Sequence, residues 1–171
     1  MTKVKLGQQE IDLNELANFL VVAKRNGYAG GEGKVREADG SKTFTYQEGN
    51  FHYTDNYAGS DQAPGNEIVR WQRVDGQRVW YMAYSGGMLR EFWGDKELAD
   101  ETYRSLKKAL GQVTAELPFR GPIKLEDDKS KYVMQVQGNI ERFLGEEAMT
   151  NKKLNRIVFS QDFMGGLVVP K

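Results

Sequence analysis

The sequence predicts an α+β fold: an internally duplicated helix-plus-antiparallel-meander unit, giving an antiparallel sheet with two helices packed on one face. Three observations carry this. First, Val79–Met88 returns as Val158–Leu167. Valine falls on valine, Trp80 on Phe159, Tyr84 on Phe163, and Gly86-Gly87 on Gly165-Gly166. Upstream, Gly65-Asn66-Glu67 matches Gly145-Glu146-Glu147. A repeat of this length fits a duplicated unit rather than a solenoid, which stacks three or more short repeats. Second, the periodicities run helix, strands, helix, strands. Third, tight turns join the strands, and nothing in their spacing calls for a parallel crossover. The chain reads as one domain, 1–171, with pseudo-repeats at about 12–93 and 95–169.

The first helix opens at Asp12, an N-cap with Glu15 in capping-box position. Leu13, Leu16, Phe19, Leu20 and Ala23 make one apolar stripe. Lys24 and Arg25 suit the negative end of the helix dipole, and Gly27 suits a left-handed position after it. A glycine-rich loop, Tyr28–Lys34, leads into alternating Phe44 and Tyr46. Glu48-Gly49-Asn50 turns the chain, and Phe51, Tyr53 and Asp55 alternate again. Past Pro64, Ile68–Val74 and Arg78–Tyr84 read as a hairpin closed by Asp75-Gly76. The second helix is capped by Asp95, carries Leu98, Thr102, Tyr103, Leu106, Ala109 and Leu110 on one face, and ends at Gly111. After the Leu117–Pro122 linker, strands are expected at Lys131–Val136, Ile140–Leu144 and Asn155–Phe159, running on toward Phe163.

Composition narrows the function. The 171 residues hold 24 Lys+Arg and 24 Asp+Glu, so the formal net charge is zero. Polymeric nucleic acid usually demands a basic stripe, and none stands out. The absence of cysteine removes disulfides, thiolate metal sites and a cysteine nucleophile together. No run approaches a membrane span, and the start lacks a secretory apolar region. The expected setting is cytoplasmic, with no cofactor, no metal and no membrane partner, and with homo-oligomerisation left open.

Several motifs invite chemistry. Gly30-Gly31-Glu32-Gly33-Lys34 lacks the spacing and the Ser/Thr of a phosphate loop, and it follows a helix instead of opening one. A backbone anion nest remains within its reach. His52 is the only histidine, and alternation with Phe51 and Tyr53 turns it toward solvent. Asp55, Asp61 and Glu67 flank an irregular segment that does not match a calcium loop. Glu67 recurs as Glu147, which suggests a symmetric structural role or two related pockets. Arg120 either meets an anionic ligand bidentately or pins its linker through Glu67 or Asp55.

The aromatic residues are the richest material. Tyr28, Tyr53, Tyr57, Trp71, Trp80 and Tyr84 concentrate in the first half. The second half has Phe159 and Phe163 where the first has Trp80 and Tyr84, losing the indole N–H and the phenol O–H. The second half is thus suited to core, and the first to a ligand that needs apolar faces with hydrogen-bonding tips.

These landmarks resemble a family of small bacterial and archaeal domains of unknown function, found alone or fused to helix-turn-helix regulators. The resemblance rests on Tyr28–Gly31; on Glu48, Gly49, Tyr53 and Asp55; and on Gly65, Glu67, Val79, Trp80, Met82, Tyr84 and Gly86. Pro118–Pro122 and the terminal Phe163, Gly165 and Gly166 extend it. No helix-turn-helix segment is read here, and Ala83 and Gly87 stand where polar or basic residues are expected. The resemblance implies, by analogy, a sensory or ligand-binding role.

The resulting expectation is a non-enzymatic domain that binds a small polar or aromatic molecule, nucleotide-like among the candidates, as a sensor or a sequestering protein. Its binding residues would be Tyr28, Gly30, Gly31, Tyr53, Asp55, Glu67, Trp80, Tyr84 and Arg120. The alternatives are a carboxylate-dependent enzyme using Asp55 and Glu67, and a protein-interaction module.

Overall fold

A computed structural model describes residues 2–27 and 33–171. It opens with a hairpin that the sequence reading missed, β1 (Lys3–Leu6) and β2 (Gln9–Asp12). Its signal was present: Leu6 and Ile11 alternate with polar neighbours across Gly7-Gln8, and both are fully buried. Helix α1 (Leu13–Asn26) begins as expected, with the Asp12 carboxylate accepting from the backbone N–H groups of Asn14 and Glu15. It ends at Gly27 with φ −79°, so the predicted left-handed cap is not used. There follow β3 (Val35–Arg36), β4 (Lys42–Glu48), β5 (Phe51–Tyr57), β6 (Gly65–Trp71) and β7 (Arg78–Met88). Helix α2 (Lys96–Leu110) is capped by the Asp95 side chain on Leu98 N–H at 3.0 Å. Strands β8 (Lys124–Glu126), β9 (Ser130–Asn139), β10 (Arg142–Asn151) and β11 (Arg156–Leu167) complete the chain.

Among the described residues nine strands form one sheet in the order β3-β4-β5-β6-β7-β11-β10-β9-β8, and every neighbouring pair is antiparallel. The fold is therefore α+β with an antiparallel sheet. The central pairing, β7 with β11, sets Tyr84 directly opposite Phe163. On either side of that point the register repeats: Trp80 faces Leu167, and Phe159 faces Met88. In β6–β7, Gly65 faces Tyr84 and Glu67 faces Met82; in β10–β11, Gly145 faces Phe163 and Glu147 faces Gln161.

Both helices lie on one face. Phe19 of α1 meets Phe51 and Tyr46, with ring centroids 5.2 and 6.0 Å apart. Tyr103 of α2 meets Phe159 edge-on at 5.9 Å. The core follows from this covering: Leu16, Leu20, Trp80, Met82, Leu106, Tyr132 and Phe159 are all essentially inaccessible. The opposite face is more open, and the paired Leu144 and Met164 on it are exposed.

Several strand boundaries differ from the sequence reading: β7 runs on to Met88 and β9 to Asn139, and two further differences have a local cause. The strand expected over Ile68–Val74 stops at Trp71, because Gln72 takes φ +61° and starts a longer turn. The strand expected over Ile140–Leu144 instead runs through Gly145 to Asn151. Glycine weakens a strand when nothing packs over it. Here a Cβ on Gly145 would lie 2.5 Å from the Phe163 ring, and one on Gly65 would lie 2.5 Å from the Tyr84 hydroxyl. Each glycine makes room for the aromatic directly across the ladder, which gives the Gly-x-Glu motif its physical meaning. Gly145→Ala is expected to destabilise by about 1–3 kcal/mol through overpacking. Urea denaturation measures this, and an unchanged midpoint would refute the packing account.

Candidate functional site

The sequence places a lysine where α1 should be apolar. Lys24 lies one helical turn beyond Leu20, on the buried stripe, and is only 8% exposed. It does not serve the helix dipole as expected. Its ammonium pairs with the Glu67 carboxylate of β6 and donates to the Phe119 carbonyl at 2.8 Å. Burial lowers its pKa, against the pull of Glu67.

Arg120 enters from the linker after α2. Its Nε and Nη2 donate to Glu147 Oε1 at 2.9 and 2.7 Å, and Nη1 lies 3.8 Å from Glu67 Oε1. Burial alone would lower its pKa, but Glu147 and then Glu67 outweigh that and raise it. Glu147 also accepts from Tyr132 Oη at 2.7 Å and Gln161 Nε2 at 3.0 Å. Tyr132 Oη in turn accepts from Gly121 N–H at 3.1 Å, which holds the linker against the sheet. The sequence reading gave Arg120 two roles, and the pinning role is built here, through Glu147 and Glu67 rather than Asp55.

Asp55 stands beside Glu67 across the β5–β6 ladder. Tyr84 Oη donates to its Oδ1 at 2.7 Å, the one hydrogen bond it receives among the described residues. Burial, and then the nearby Glu67 charge, push its carboxyl up to about 6. Tyr84 is covered on one side by the Arg120 guanidinium, 5.2 Å from the ring centroid.

These groups border a cavity of about 200 Å³ between the sheet and the two helices. Its sheet side carries Tyr53, Asp55, Glu67, Tyr84 and Gln161. Its helix side carries Lys24, Tyr103, Leu106 and Leu110, and Phe119 and Phe159 complete an apolar wall. Lys42 and Tyr57 also border it, and the Lys34 and Lys42 ammonium groups sit 5.5 and 5.6 Å from the Tyr57 ring.

Of the residues expected at a site, Tyr53, Asp55, Glu67, Tyr84 and Arg120 come together at this cavity. Trp80 does not border it. Its indole is fully buried behind Lys24, whose ammonium is 5.7 Å from the ring, and its N–H donates to the Ile140 carbonyl at 3.2 Å. Tyr28, Gly30 and Gly31 lie outside the described residues. Asp61 caps a turn instead, accepting from Gly94 N–H at 2.9 Å. His52 is on the face opposite Phe51 and Tyr53 as expected, yet only 8% of it is exposed. Gln47 and Arg70 flank it across the ladder, and their long side chains cover it. Its Nδ1 has no hydrogen-bond partner among the described residues. The sequence reading missed Lys24, Tyr103 and Gln161. For Lys24 the signal was its position four residues after Leu20. Tyr103 and Gln161 carried none, because only chain packing brings them here.

Among the described residues, no group of His, Asp or Glu has the arrangement of a metal site. No helix among them is long and apolar enough to cross a membrane.

Fold and site together define an α+β protein with an aromatic-walled pocket over a buried ion network. Residues 55–168 match the model of a domain of unknown function (DUF5680). The chain belongs to that family. The match begins at Asp55 and takes in Glu67, Tyr84, Arg120 and Glu147, while Lys24 and Tyr53 precede it. No curated protein and no solved structure matches the chain.

Proposed function

We propose that this protein is a non-enzymatic binding domain for a small molecule held in the cavity between sheet and helices. One observation carries the reading: a cavity with aromatic walls borders a buried network of three carboxylates and two cations. Burying ion pairs is energetically poor compared with apolar packing. A cavity that meets such a network joins apolar surface with a few fixed polar groups, the usual composition of a ligand site. At about 200 Å³ it is smaller than the roughly 300–1,000 Å³ of drug-sized pockets, so it suits a single ring or a head group rather than a whole nucleotide.

The same reading treats the halves, about 12–93 and 95–169, as copies of one unit in which the first kept the ligand site. The register supports this. Asp55 stands across from Glu67, while Met134 stands across from Glu147. At these matching positions only the first half presents a carboxylate pair. The resemblance to domains fused to regulators favours a bacterial, cytoplasmic sensor over a sequestering protein.

The geometry speaks against Asp55 and Glu67 as an acid/base pair, because Lys24 and Arg120 both hold Glu67. The test of the binding reading is native mass spectrometry of protein purified from lysate, followed by denaturation and identification of what is released. A stoichiometric small molecule is the expected result. An empty dimer would move the assignment to the open sheet face, where Leu144 and Met164 pair.

A further inference from the structure

The three buried carboxylates at the site are not held alike. Glu67 is held by Lys24 and Arg120, and Glu147 by Arg120, Tyr132 and Gln161. Asp55 is the third carboxylate, and among the described residues no cation bonds to it. A carboxylate has room for about four hydrogen bonds, and this one receives a single bond from a neutral phenol. It borders the cavity beside Tyr53, Tyr57, Tyr84 and Tyr103, of which Tyr84 is covered on one side by Arg120 and Tyr57 is approached by Lys34 and Lys42. Tyrosine faces attract organic cations through the ring quadrupole, and an ionised carboxylate gives such a cation a charge-assisted partner.

We propose that the ligand places a compact cationic head group with N–H donors, of the amidinium or ammonium class, against Asp55 inside this box of tyrosines. This rests on the binding reading above and names the chemistry of the same site. The groups that face Asp55 are Tyr53 and Tyr57 on β5, Glu67 on β6, Tyr84 on β7, Lys24 on α1, Arg120 on the linker, and Lys34 ahead of β3, whose own ammonium feels the Asp55 charge. Lys24 and Arg120 are engaged by Glu67 and Glu147, and the Lys34 and Lys42 ammonium groups lie against the Tyr57 ring, so a cationic ligand is the partner that would complete Asp55.

Three probes of nearly one shape separate the possibilities: benzamidine, benzamide and benzoate, each titrated into the full chain by ligand-observed NMR. At pH 7.5, benzamidine is expected to bind at least about tenfold more tightly than the other two. With the Asp55 carboxyl titrating at about 6, only about a tenth of it stays ionised at pH 5, so benzamidine affinity should fall about tenfold there. Asp55→Asn should abolish the preference for benzamidine while circular dichroism shows the variant folded. A preference for benzoate or benzamide would overturn the proposal, as would a benzamidine preference that survives in Asp55→Asn. Silence from all three probes would also overturn it, and the binding reading would then be decided separately by the mass-spectrometric release. A released molecule without a cationic nitrogen would sink the head-group proposal and leave the binding reading standing.

Discussion

Replacing Glu147 with alanine is expected to remove about 3–5 kcal/mol of folding stability. The carboxylate is 1% exposed and accepts from Arg120, Tyr132 and Gln161. Its loss leaves the buried Arg120 guanidinium, among the described residues, with the 3.8 Å approach to Glu67 as its one ion pair, beside the Tyr84 ring. It also leaves the Tyr132 hydroxyl and the Gln161 amide without their acceptor. An uncompensated buried charge is among the few single changes that reach this size. Urea denaturation is the measurement. Glu126→Ala is the contrast: its pairs with Lys124 and Lys152 lie at the surface, where water and salt screen them, and a far smaller change is expected. A loss below about 1 kcal/mol for Glu147→Ala would show that the network does not hold the linker to the sheet.

The second large effect has the opposite sign. Asp55→Asn is expected to stabilise the free protein at neutral pH by about 2–3 kcal/mol. The folded carboxyl titrates at about 6, against 3.8 when unperturbed. The folded state therefore holds its proton more tightly, and ionising Asp55 opposes folding. That penalty is absent below about pH 4, where the group is protonated folded or unfolded. It grows as pH rises to about 6 and is constant above. Asparagine keeps an acceptor for the Tyr84 hydroxyl and carries no charge, so it removes the penalty. Thermal unfolding of both proteins between pH 4 and 8 should give curves that meet at the acid end and separate through pH 6. A stabilising change at a position that also abolishes binding is the mark of a residue kept for function. If Asp55→Asn destabilises the protein at pH 7.5, the carboxylate is structural and its place in the site must be rejected.

The amino-acid sequence alone determined both helices and most of the strands. Both helices carry side-chain caps at Asp12 and Asp95, and their apolar stripes repeat with the helical period, so short-range chemistry specifies them. The alternation over Phe51–Asp55 likewise placed Tyr53 and Asp55 on one face. The Gly-x-Glu and Gly-Gly recurrences marked the strands that pair at the centre of the sheet. The tertiary structure decided the rest, because the deciding contacts are long-range. Gly145 reads as a break in a strand until Phe163 fills the space above it. Lys24 reads as a solvated helix end until Glu67, 43 positions later, and the Phe119 carbonyl surround it. Trp80 has the composition of a ligand contact, yet the strand register turns it into the core behind Lys24. Asp55 and Glu67 were visible as neighbours along the chain. Which of them keeps an unmatched charge depended on where Arg120 and Lys24 arrive, and only the packing of the helices and linker against the sheet sets that.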